Sequence, residues 1–215
     1  MIKAIVFDFD GLIIDTESLW YEAYNELLQE YDMDLPMEVF TACIGSTDEP
    51  FITYYESHPR KQLEYVELSK LAGKLHKEKA KHLELREGVL DYLHDAKRLG
   101  LKIGLASSSS WVNIEHYLRR FDIYDYFDAF RTKDDVERVK PDPALYVKAV
   151  EALGVEPHEA VAFEDSLNGL VAARKAGLHG VIVPNAVTAE LPFTDYALRL
   201  SSMKAKSLEE VINSL

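Results

Sequence analysis

The chain has 215 residues with a formal net charge of -13, an acidic balance that excludes the broad basic face nucleic-acid binding needs. A phosphate-binding site in such a protein has to be a local cationic pocket. Its hydrophobic content of 47% supports a core of one large domain, or a core plus a small second one, and no apolar run reaches membrane-span length. Cys43 stands alone and makes no internal disulfide, which points to a reducing compartment. Met1 leads directly into an apolar run without a leader pattern, so the expectation is a cytoplasmic protein, a monomer by default, with neither a nucleic-acid nor a membrane partner.

Residues 2–7 are apolar and mostly β-branched or aromatic, Lys3 apart, which predicts a buried strand of a parallel sheet. The run then breaks into Asp8-Phe9-Asp10-Gly11. Residues two apart in an extended chain share a face, so Asp8 and Asp10 converge if the strand continues that far. Gly11 permits a sharp exit. Two acids at a strand end are costly to desolvate without a cation, and a divalent ion with oxygen ligands meets that need. An ordinary strand-end turn would use the same residues, but the apolar Leu12-Ile13-Ile14 that follows is unlike a surface turn.

Residues 15–31 read as a helix, with Asp15 or Thr16 at its cap and Leu19, Ala23 and Leu27 at helical spacing. A short helix over 36–43, a break at Ile44-Gly45-Ser46-Thr47 and a segment bearing Phe51, Tyr54 and Tyr55 come next. After a turn at His58-Pro59, a long helix is expected over 62–82, with Leu68, Leu71 and Leu75 in one stripe and Lys74, Lys77, Lys79 and Lys81 as a solvated face. From there helix and strand alternate. Helices are expected over 87–99, 110–121, 143–153, 168–176 and 208–215, and strands over 101–106, 127–131, 160–163, 180–183 and 197–200. Such alternation implies right-handed crossovers and an α/β fold built on a doubly wound parallel sheet. The helical stretch after the first strand is too long for a crossover and reads as an inserted helical domain. The expected division is a core of residues 1–15 and 85–215 with an insert at 16–84.

Open parallel sheets bind ligands at the carboxyl ends of their strands. Asp8 and Asp10 follow the first strand, Ser107 to Ser110 the second, and Glu164-Asp165 the strand at 160–163, while Lys140 precedes a helix. The Ser107 hydroxyl and the Ser108 backbone N–H can donate to a phosphate at a helix start, although a plain helix cap within this serine run is an equal alternative. Lys140 can neutralise phosphate and carboxylate charge, or be a surface lysine in a turn. Glu164 and Asp165 are adjacent, so on a strand they point opposite ways, with one a direct metal ligand and the other its support.

In their order and placement these residues resemble the motifs of the haloacid dehalogenase superfamily, close to the branch of β-phosphoglucomutases and small phosphomonoesterases. Asp8-Phe9-Asp10-Gly11-Leu12-Ile13-Ile14-Asp15 is similar to the first motif, Ser107 to the second, Lys140 to the third and Glu164-Asp165 to the acidic fourth. The resemblance implies a Rossmann-like core with a helical cap, hinged at Asp15-Thr16 and Arg86-Glu87-Gly88. It implies Asp8 as nucleophile and Asp10 as general acid/base. Mg²⁺ would be held by Asp8, the Asp10 carbonyl and Asp165, with Glu164 assisting. Ser107 and Lys140 would bind the transferring phosphoryl group of a small phosphorylated metabolite.

Two positions depart from the mutases. Trp20 stands where they carry a histidine in the first cap helix, and Asp48 follows Gly45-Ser46-Thr47 where they carry an arginine. An acid at that point repels a second phosphate, so the expectation is a Mg²⁺-dependent phosphatase. A sugar-phosphate mutase and a receiver-like phosphoacceptor are the alternatives. Asp10 weighs against the latter, because a phosphate-storing switch is ill served by an acid/base beside its phosphoacceptor.

Overall fold

The computed structural model describes residues 1–44 and 47–215. Gly45 and Ser46, where the break was expected, lie outside the described residues. Strand β1 (Ala4–Phe7) leads into four helices, α1 (Thr16–Gln29), α2 (Met37–Thr41), α3 (Glu49–Ser57) and α4 (Tyr65–Lys79). The chain then alternates through α5 (Val89–Arg98), β2 (Lys102–Ala106), α6 (Trp111–Arg120), β3 (Ala129–Arg131), α7 (Ala144–Leu153), β4 (Ala160–Glu164), α8 (Leu167–Lys175), β5 (His179–Ile182), β6 (Leu198–Arg199) and α9 (Leu208–Asn213). The strands form one sheet in the order β3-β2-β1-β4-β5-β6, and every pairing is parallel. Among the described residues no helix is long and apolar enough to cross a membrane.

Both faces of the sheet are covered, which explains strands apolar at successive positions. Ile5 and Phe7 of β1, with Val161 and Phe163 of β4, pack against α5, α6 and α9. Ala4, Val6, Ala160 and Ala162 point the other way, against Leu145, Tyr146 and Ala149 of α7 and Ala172 and Ala173 of α8. A separate apolar cluster joins the four helices after β1, through Tyr24, Leu27 and Leu28 of α1, Phe40, Phe51, Tyr55, and Leu68 and Ala72 of α4.

Two local expectations change. First, β1 ends at Phe7, so Asp8 and Asp10 do not share one continuous strand. The Phe9 carbonyl accepts the N–H groups of Leu12 at 3.3 Å and Ile13 at 2.9 Å, and this turn, not the pleat, carries Asp10 round. Second, the buried stripe of α4 is Leu68, Ala72 and His76, spaced by four, while Leu71 is exposed. The helix also starts later than expected, at Tyr65. Its lysines are mostly on the solvated side, and Lys79 reaches back to Glu22 and Glu26 of α1.

Candidate active site

The sheet reverses its winding at β1. The chain runs outward to β2 and β3, then returns to β4 on the other side of β1, and the crevice at such a point is where ligands bind. Register sets the geometry. Phe7 pairs with Phe163, so one step further along each strand puts Asp8 beside Glu164. The Asp8 N–H donates to the Phe163 carbonyl at 3.0 Å.

Three carboxylates meet there. Asp8, Glu164 and Asp165 are all buried, and each offers an oxygen within 4.8 Å of the others'. One cation is built in. Lys140, 1% exposed, donates to Asp8 Oδ1 and Glu164 Oε1, both at 2.6 Å. Glu164 is further held by Tyr146 OH at 2.5 Å and Ser166 Oγ at 3.2 Å. With both oxygens engaged, Glu164 acts as the counter-ion of Lys140 and supports the cluster. Asp165 differs. Its Oδ2 accepts from Asn185 Nδ2 at 2.8 Å, while its buried Oδ1 has no partner. A buried carboxylate oxygen left unsatisfied beside another acid is costly, and a divalent cation with oxygen ligands satisfies it. The residues present therefore fit Mg²⁺, with Asp8 and Asp165 supplying carboxylate oxygens.

Charge balance gives the same result. Three acids share one lysine, and the surplus appears in the protonation of Asp8 and Asp165. Burial first, then Glu164, pushes Asp8 up to about 7 despite the opposing pull of Lys140. Burial and the charges of Asp8 and Glu164 hold Asp165 well above the usual carboxylate range. Burial alone would lower Lys140, but Asp8 and Glu164 outweigh it and keep the ammonium charged. A sign follows for stability. The folded, metal-free protein binds protons at Asp8 that the unfolded chain releases, so stability present near pH 4 is lost as pH rises toward 7. The melting temperature in EDTA should therefore fall by several degrees between pH 5 and pH 8, and saturating Mg²⁺ should remove most of that fall. A metal-free melting temperature that rises over this range would refute the charge assignment.

Asp10 sits a turn away from the cluster. Thr16 Oγ1 donates to its Oδ1 at 2.9 Å, and Ser107 Oγ lies 3.5 Å from its Oδ2. Ser107 is buried at the end of β2, and its Oγ accepts the Ser109 N–H at 3.0 Å. Ser110, the residue before α6, makes no side-chain cap hydrogen bond, and the Trp111 N–H donates to Asp134 at 2.8 Å. Ser107 to Ser110 line a cavity of about 610 Å³ together with Asp8 and Asp10. The far wall of this cavity comes from the helices after β1 and carries Glu17, Trp20, Tyr24 and Asp48. The Trp20 ring stacks on His76 at 4.0 Å between centroids.

No motif in the sequence marks Tyr146, Asn185 or Glu17. Arg86 was read only as hinge, yet its guanidinium donates to the carbonyls of Gly11, Val183 at 3.1 Å and Pro184 at 2.6 Å. Thr16 is expected at the hinge and as one of two candidate caps, and of the two Asp15 takes the cap by accepting the Ser18 N–H. Glu17 is an acid in the first turn of α1. In the fold, burial and the nearby Asp10 and Asp8 raise its carboxyl well above the usual range. Two glycines make the crowding possible. A Cβ on Gly11, whose φ is +77°, would stand 2.1 Å from Asp165 Oδ2, and one on Gly169 would stand 1.9 Å from the Glu164 carboxyl. Gly169→Ala should accordingly cost about 1–3 kcal/mol in urea unfolding, and an unchanged midpoint would mean Glu164 is free to move.

The fold and this cluster define a hydrolase class, and the chain belongs to the haloacid dehalogenase-like hydrolases, whose family model matches residues 5–183. It is 45% identical to the Bacillus subtilis strain 168 protein YhcW, whose name carries a provisional phosphatase assignment, over 100% of this chain and 98% of that one. It is also 31% identical to the phosphorylated carbohydrates phosphatase of Thermotoga maritima, over 83% of each chain. Among solved structures, CbbY from Rhodobacter sphaeroides in complex with xylulose-(1,5)bisphosphate superposes with a TM-score of 0.77 at 29% identity, covering 94% of this chain and 95% of that one.

Proposed function

We propose that this protein is a Mg²⁺-dependent phosphatase that hydrolyses a small phosphomonoester, of the sugar or sugar-alcohol phosphate kind, through an aspartyl phosphate on Asp8. The observation that carries the reading is the pairing of Asp8 with Lys140 beside the unsatisfied oxygen of Asp165, with Asp10 one turn away. Bound Mg²⁺ would offset the negative charge of phosphoryl group and carboxylates in the transition state. The Asp8 carboxylate attacks phosphorus as the bond to the leaving oxygen breaks. Ser107 Oγ and the Ser108 N–H hold phosphoryl oxygens, and Lys140 keeps Asp8 aligned. Asp10, steadied by Thr16, gives its proton to the leaving alkoxide. It then takes a proton from the water that attacks the aspartyl phosphate, which frees Asp8 and releases inorganic phosphate.

The helices of residues 16–84 act as a cap over this chemistry, with its connections to the core at Asp15-Thr16 and Arg86-Glu87-Gly88. Cap residues select the leaving group. Lys133 is the sole lysine or arginine among the described residues lining the cavity, against Glu17 and Asp48 on the cap wall. That lining suits neutral hydroxyls and opposes a second phosphate, which favours hydrolysis over the bisphosphate-primed cycle of a mutase. The name of the Thermotoga maritima relative agrees with a phosphorylated carbohydrate.

Phosphate release measured across sugar, sugar-alcohol, nucleotide and phosphoglycolate monophosphates tests the reading. Mg²⁺-dependent release from several carbohydrate monophosphates is expected, with at least about tenfold lower kcat/KM for the matching bisphosphates, a gap that one unfavourable charge contact can supply. Isomerisation of β-glucose 1-phosphate in place of release would overturn it.

A further inference from the structure

We infer that Asn185 is a positioning residue that aims Asp165 at the metal and ties it to the loop carrying Asp10. The inference rests on the Mg²⁺ reading above and assigns a residue that no motif in the sequence marked. Asn185 follows β5, is 5% exposed, and uses both ends of its amide. Nδ2 donates to Asp165 Oδ2 at 2.8 Å and lies 3.3 Å from the Gly11 carbonyl. Oδ1 accepts from the backbone N–H groups of Val187 at 2.9 Å and Thr188 at 3.0 Å, and from Thr188 Oγ1 at 3.2 Å.

A carboxylate on a short side chain can rotate about its terminal bond, and the direction of its free oxygen decides whether it serves as a ligand. By engaging Oδ2, Asn185 leaves Oδ1 as the oxygen open to a ligand role, and this is the atom found buried and unpartnered. Outer partners that orient a ligand in this way commonly change metal affinity 10–100-fold when removed. The Gly11 contact adds a second consequence. Gly11 adjoins Asp10, so the same amide fixes the metal acid relative to the acid/base, with Arg86 donating to that carbonyl from another direction. The amide is held in turn by its own loop, which is anchored where Val187 packs into the apolar cluster of the helical unit.

The test is Mg²⁺ binding to the metal-free full-length protein by titration calorimetry, with no substrate present. Asn185→Ser keeps a short acceptor for the turn N–H groups but cannot reach Asp165. Val187→Ala loosens the loop's packing and leaves the Asn185 amide in place. Both variants are checked for folding by circular dichroism. Mg²⁺ dissociation constants 10–100-fold weaker in Asn185→Ser, with Val187→Ala within about threefold of the parent, are expected. Equal weakening in both would reduce Asn185 to a loop brace, and an unchanged constant in Asn185→Ser would overturn the inference with the metal reading intact. Absence of Mg²⁺ binding by the parent protein would overturn both.

Discussion

Asp8→Asn should lower kcat for phosphate release by about 10⁴-fold or more while making the metal-free protein more stable at pH 8. The first half follows from chemistry. An amide cannot attack phosphorus as a carboxylate does, and nucleophile deletions in enzymes that form covalent intermediates have effects of this size. The second half follows from charge. Asp8, Glu164 and Asp165 share one buried lysine, and Asp8 is pushed up to about 7 because burial and Glu164 outweigh the pull of Lys140. Removing one carboxylate relieves that surplus, and the amide oxygen can still accept from Lys140. Thermal unfolding in EDTA reads the effect, with a rise of a few degrees expected. A dead variant that is also less stable would mean the Asp8–Lys140 pair is net favourable and the cluster is not overcharged.

Lys140→Met is expected to cost about 3–5 kcal/mol of folding stability, the usual penalty for removing one member of a buried pair. Lys140 and Glu164 have fully buried side chains, and loss of the ammonium leaves Glu164 with only Tyr146 and Ser166 as partners. For a chain of this length the melting temperature should drop by on the order of 10 °C. The double variant Lys140→Met with Glu164→Gln should recover part of that loss, because the uncompensated charge goes with the acid. Recovery in stability without recovery in turnover is the expected pattern, since Lys140 also aligns Asp8. If the double variant were as unstable as the sum of the singles, Glu164 would not be the counter-ion.

How much of this was legible in the sequence differs between levels. Strand-helix alternation and continuous apolar runs such as Ala4–Phe7 revealed the parallel sheet, because strands buried on both faces leave no polar positions. Helix boundaries came within a few residues, as caps such as Asp15 and Gly154 are local signals. Asp8, Ser107, Lys140 and Glu164-Asp165 stand out as candidates because each follows a strand or precedes a helix at one end of the sheet. From residue chemistry alone, apart from the family resemblance, the division of labour between Glu164 and Asp165 is only half legible. Adjacency predicts one ligand and one support, but the contacts that separate them come from Lys140, Tyr146 and Asn185, residues 18 to 24 positions distant from their partners in the chain. No periodicity encodes such contacts. The bracing role of Arg86 and the role of Asn185 are hidden for the same reason, since their work is to satisfy backbone carbonyls and a carboxylate brought near only by folding. The leucine spacing of α4 points to the wrong stripe, because Ala72 and His76, not Leu71 and Leu75, are buried, with His76 stacked on Trp20 of α1.

The account turns on Asp8 as the group that becomes phosphorylated. Rapid-quench turnover of a hydrolysed sugar phosphate in Mg²⁺, followed by peptide mass spectrometry of the acid-quenched protein, tests this most directly. The account predicts an alkali-labile phosphoryl group on the peptide bearing Asp8, formed and lost within one turnover and absent from Asp8→Asn. Turnover with no phosphoprotein at any quench time, or a label on Ser107 in place of Asp8, would contradict it.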